Sequence, residues 1–146
     1  MEESIYDLFC NQEGVLVEPS CMPYIKLLKD NFSLEGTMID WSQKTKRHVF
    51  IGIEISYEED LDLLWQIIVS CVSSILIKNI SLERKIVNFN DDCYDEAIIF
   101  DNYNVFNANL LSLVKKFNQR AYFLDEKANW CLCIREQNMI DFAFSI

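Results

Sequence analysis

The sequence predicts a single α+β domain over residues 1–146, a mainly antiparallel sheet with two to three packed helices and a C-terminal β-meander. Three observations predict it. Short runs of alternating or continuous apolar residues recur along the chain, most clearly over residues 48–55 and 130–135. Residues 61–77 and 106–117 instead repeat apolar side chains at helical spacing. The last three strand-like runs are separated only by Asp125-Glu126-Lys127 and Glu136-Gln137-Asn138, spacers short enough to place antiparallel neighbours side by side. With 146 residues, 51% of them hydrophobic, the chain has the length of one domain and enough apolar mass to fill its core.

The elements follow in order. Pro23 suits the first turn of a short helix ending near Asn31, with Tyr24, Leu27 and Leu28 as its apolar stripe. Gly36 breaks that pattern, and residues 37–42 alternate as a strand would. A basic turn, Gln43-Lys44-Thr45-Lys46-Arg47, leads into a strand over 48–55 in which Val49, Ile51, Ile53 and Ile55 share one face. Ser56 and Glu59 form a capping box, so a helix starts there and runs to about Ile77. Its apolar stripe is wide, which predicts burial over much of its circumference. Residues 82–89 and 96–100 read as a hairpin around an acidic turn. The next helix carries Phe106, Leu110, Leu113, Val114 and Phe117 on one face, with Asn104 or Asn107 as its cap. In the final meander, the strand over 130–135 is apolar on both faces and is expected in the sheet interior.

Charge narrows the function. The formal net charge is −10. Glu54, Glu58, Glu59, Asp60 and Asp62 form one acidic window, which the helix start explains. Asp91, Asp92, Asp95, Glu96 and Asp101 form a second, interleaved with Tyr94 and Tyr103 and free of Lys and Arg. Such a chain repels phosphates and anionic lipid surfaces and attracts cations, so no nucleic acid and no membrane are expected as partners. The second window has the chemistry of a docking face: carboxylates for charge-assisted hydrogen bonds, tyrosines for amphipathic contact area.

Reactive chemistry finds little support. His48 is the sole histidine and reads as an exposed residue beside the basic turn, leaving acid–base and triad mechanisms short of their usual group. Cys131-Leu132-Cys133 lacks the second ligand pair of a zinc site. The acidic turn lacks the glycine and ligand alternation of a calcium loop. No catalytic residue, no metal ligand and no cofactor is therefore expected. The opening Met1-Glu2-Glu3-Ser4 has neither a basic nor an apolar leader segment, so a cytoplasmic protein with six reduced thiols is expected.

In size, acidity and the acidic–aromatic stretch from Asp91 to Tyr103, the chain resembles the immunity proteins of bacterial contact-dependent growth inhibition and related polymorphic toxin systems. The resemblance implies a non-enzymatic protein that binds a cognate basic toxin domain, typically a nuclease, and occludes its active site or an adjacent surface. Asp91, Asp92, Tyr94, Asp95, Glu96, Asp101 and Tyr103 are the residues expected at that contact. The alternative is a structural subunit or adaptor that assembles through the apolar faces of the 61–77 helix and the 130–135 strand.

Overall fold

The computed structural model describes residue 9 and residues 11–35, 38–53, 61–90, 95–116, 120–135 and 139–145. Strands β1 (Val15–Glu18), β4 (Thr45–Gly52), β5 (Ile86–Asn90), β6 (Ala97–Phe100), β7 (Ala121–Asp125), β8 (Trp130–Arg135) and β9 (Met139–Ser145) form one seven-stranded sheet. Its order is β1-β6-β5-β7-β8-β9-β4, and every neighbouring pair is antiparallel. A two-stranded ribbon, β2 (Leu34–Glu35) with β3 (Met38–Ile39), stands apart. Helices α1 (Met22–Asn31), α2 (Leu61–Asn79) and α3 (Tyr103–Lys116) pack with these strands.

The sheet is buried on both faces because its central strands carry apolar residues at successive positions rather than alternate ones. β5 to β8 are buried almost throughout. On one face Ile98, Phe100, Phe123, Leu132 and Phe142 meet Ile68, Val72 and Leu76 of α2 and Phe106, Leu110 and Leu113 of α3. Phe106 makes edge contacts with Phe100 at 5.5 Å and Phe123 at 5.4 Å between ring centroids, the perpendicular geometry that aromatic quadrupoles favour. On the other face Val87, Phe89, Ile99, Leu124, Cys131 and Cys133 are covered by Leu28 of α1, by Phe32 and by Ile39 of the ribbon. β8 shows both faces in one strand: Trp130, Leu132 and Ile134 belong to the first cluster, Cys131 and Cys133 to the second.

The β5–β6 hairpin and the β7–β8–β9 meander form as their sequence patterns predict. Other expectations need correction. The strand predicted from residue 82 starts at Ile86, because residues 82–84 turn. The predicted 37–42 strand is reduced to two residues: Asp40 takes the backbone N–H of Ser42 at 3.0 Å and Gln43 Nε2 at 2.9 Å, bending the chain there. The Ser42 hydroxyl, which also donates to Oδ1 at 2.5 Å, together with these N–H donors holds the Asp40 carboxyl below its ordinary range. The strand predicted over 48–55 begins at Thr45 and contains a bulge between Lys46 and Val49. α3 is capped by Asn102, whose Oδ1 accepts the Val105 N–H at 3.0 Å, rather than by Asn104 or Asn107.

The breadth of α2 has a different meaning from the one its sequence suggests. Only Ile68, Val72, Ile75 and Leu76 are buried, while Leu61, Leu63 and Ile77 are about half exposed. By length and composition it is the one helix among the described residues able to cross a membrane. The capping box at Ser56 and Glu59 lies outside the described residues.

β1 went unpredicted. It is held at the edge of β6, where Asp101 N–H donates to the Gly14 carbonyl at 2.9 Å. Gly14 has φ +80°, and a Cβ there would lie 3.1 Å from Val105 Cγ2, so both backbone and space favour glycine.

Candidate protein-binding surface

The acidic stretch is divided by the fold. Asp91, Asp92 and Tyr94 lie outside the described residues. Asp95 and Glu96 enter β6 at one end of the sheet. Asp95 is exposed and Glu96 half-buried. The Asp95 carbonyl accepts the Cys21 N–H at 2.6 Å, which ties the hairpin to the start of α1. Glu18 joins them, because its strand partner is Ala97, next in chain to Glu96. Glu18 also accepts a hydrogen bond from Tyr24 Oη at 3.3 Å. Partial burial, the Glu18 charge and that hydrogen bond push the Tyr24 phenol up to about 12. Three carboxylates and one tyrosine therefore gather at this end, and among the described residues no Lys or Arg forms an ion pair with them.

Asp101 and Tyr103 do not join this group. β6 separates Asp101 from Asp95, and six residues of extended chain span about 20 Å. Asp101 is exposed at the opposite end of the sheet. Tyr103 is only 5% exposed and packs in the core against Phe106, its ring centroid 6.3 Å away. Its hydroxyl is buried and has no hydrogen-bond partner among the described residues. It offers a partner almost no surface. The first turn of α3 aims Tyr103 inward as part of the same apolar stripe as Phe106 and Leu110.

A second polar cluster was not foreseen. His48 is not a free residue of the basic turn. Its Nε2 lies 2.7 Å from Oδ1 of Asp141, whose side chain is 1% exposed. Its ring stacks on Trp41, centroids 5.2 Å apart and planes within 4°. Arg135 Nε sits 2.9 Å from the other Asp141 oxygen, but out of line for a hydrogen bond, so the contact is purely ionic. The guanidinium also lies over the Phe50 ring at 5.5 Å. One signal for this cluster was present in the sequence. Asp141 is a lone charge in an otherwise apolar strand, and a buried carboxylate requires a partner.

Cys133 is the direct strand partner of Asp141, which places a thiol, a carboxylate and an imidazole on one patch. Burial pushes the Cys131 and Cys133 thiols well above their ordinary range, and the Asp141 charge adds to this. The nucleophile in cysteine chemistry is the thiolate, which this setting suppresses. His48 meanwhile directs Nε2 at Asp141. As arranged, the cluster joins β4 to the rest of the sheet. Among the described residues no three His, Cys, Asp or Glu side chains come together as metal ligands would.

No protein-family profile and no curated protein sequence matches this chain.

Proposed function

We propose that this is a binding protein whose acidic sheet end engages a basic protein partner, and that it serves as a cytoplasmic immunity protein for a cognate toxin domain of nuclease type. The observation that carries this reading is the group formed by Glu18, Asp95 and Glu96. Three carboxylates share one end of a rigid sheet, unpaired with Lys or Arg among the described residues, in a chain of net charge −10. A backbone already set by the sheet spares the main-chain part of the ordering cost when these carboxylates meet arginines, and complementary charge accelerates the encounter. Asp91, Asp92 and Tyr94, which immediately precede Asp95 in sequence, extend the proposed contact. Inhibition follows by occlusion: the acidic end occupies the cationic cleft in which the toxin would hold phosphate.

The test is co-purification from the native host, followed by assay of the captured protein. A basic partner released by salt, whose activity this chain suppresses, supports the reading. Asp91→Ala, Asp92→Ala and Asp95→Ala combined should weaken that complex, and unchanged affinity would remove the assigned surface.

A second reading, an assembly subunit, draws on the half-exposed Leu61, Leu63 and Ile77 of α2 and on Phe50, 53% exposed on the edge strand β4. Light scattering across a concentration series separates the two. Self-association that disappears in Leu63→Glu favours assembly, and a strict monomer favours the inhibitor.

A further inference from the structure

The opposite end of the sheet holds a hollow of about 220 Å³ between the C-terminal end of α2 and the β7–β8 turn. Trp130, Phe144 and Ile86 supply its apolar walls, and Arg84 and Lys85 its charge. A neighbouring hollow of about 250 Å³ shares Arg84 and adds Lys127. Arg47 extends the cationic rim, its guanidinium 5.7 Å over the Phe144 ring. These cations are exposed. The buried carboxylate at the base, Asp125, is already committed: Asn129 donates to both its oxygens, from N at 2.7 Å and Nδ2 at 3.1 Å.

We infer that this groove is a docking site for an acidic peptide segment, one that presents a carboxylate beside an apolar side chain. Three arguments select that occupant. The first is charge. Arg84, Lys85 and Lys127 line the two hollows against two carboxylates, the exposed Glu126 and the buried Asp125, and Arg47 at the rim adds a fourth cation. The carbonyls ending α2 add the equivalent of only about half a negative charge. The second is size. The two hollows, about 220 Å³ and about 250 Å³, share Arg84 and Asp125, an extent that suits a short run of peptide side chains. The third is the whole-molecule field. A net charge of −10 opposes a polyphosphate strand, whereas a short acidic segment with an aromatic residue bears less charge and gains contact with Trp130 and Phe144. The two ends of the sheet then bind opposite charges. This site stands independently of the acidic-end reading, since it uses none of the same residues.

The experiment is a titration of the whole isotope-labelled protein, followed by amide NMR. The probe is a capped peptide of alternating glutamate and phenylalanine. The controls are the matching lysine–phenylalanine peptide and inorganic phosphate. The expected result is saturable shifts confined to residues 79–86, 125–130 and the adjoining Arg47 and Phe144. Arg84→Glu with Lys85→Glu should weaken binding at least about tenfold, as reversal of two contacting charges implies. Lys127→Glu serves as a second variant should the first pair disturb the fold. Absence of shifts at millimolar peptide overturns the proposal. Equal response to phosphate would show a general anion site and overturn it too. So would equal response to the lysine peptide, or shifts that follow protein concentration alone.

Discussion

His48 and Asp141 stand 93 positions apart in sequence and 2.7 Å apart in space. The contact fastens the edge strand β4 to β9 at the bulge, where the regular ladder is interrupted between Lys46 and Val49. A side-chain bond thus takes over where backbone pairing lapses.

Asp141→Ala should therefore destabilise the fold by about 1.5–3 kcal/mol, the usual loss when a hydrogen bond to a charged group is removed. The figure stays below that for a fully buried ion pair because His48 and Arg135 are 34% and 29% exposed and regain water. Urea denaturation followed by circular dichroism would measure it. A value near zero would mean that β4 is held by its ladder and apolar contacts alone.

Tyr24 should ionise near pH 12, against about 10 for a free phenol. Because the folded-state pKa is raised, its contribution to stability is complete below the unfolded value near 10. It is lost as pH rises toward the folded value of about 12. Phenolate absorbance titration of the native protein against Tyr24→Phe would isolate this group. A difference titration centred near 10 would contradict the Glu18 contact.

Cys131 and Cys133 should resist thiol reagents at neutral pH while the protein is folded and react once it unfolds, because burial holds both thiols protonated and inaccessible. Mass spectrometry after timed alkylation reads this directly. Rapid labelling of Cys133 in the native state would show that the ribbon opens over the sheet.

Tyr103→Phe should leave stability unchanged or raise it by up to about 1 kcal/mol, because the hydroxyl it removes is buried and unpaired. Partner affinity should not move. A large loss of affinity with intact stability would place Tyr103 at the interface after all.

Secondary structure was legible where periodicity is strong. Ala121-Tyr122-Phe123-Leu124 and Trp130-Cys131-Leu132-Cys133-Ile134 announce buried strands, and the short polar spacers announce their antiparallel connection. β1 escaped because Val15, Leu16, Val17 and Glu18 are too few to establish a period, and their strand identity comes from the β6 edge. Leu82-Glu83-Arg84-Lys85 precedes a strand without belonging to it. The candidate site was legible as composition and not as a surface. A window of sequence runs from Asp95 to Tyr103, yet a buried four-residue strand carries Asp101 to the far end and a helical turn points Tyr103 into the core. The His48–Asp141 contact depends on strand order, which local patterns do not encode.

The position of β4 also sets a timetable. Among the described strands its one neighbour in the sheet is β9, the last of them in chain order. During synthesis, the segment containing Val49 and Phe50 leaves the ribosome long before the strand that will receive it. Until β9 arrives, β4 has no ladder to join. The nascent chain carries β4 unpaired until then, and Lys46 and Arg47, with Lys44 just ahead of the strand, give it the positive charge that keeps such segments from pairing with one another.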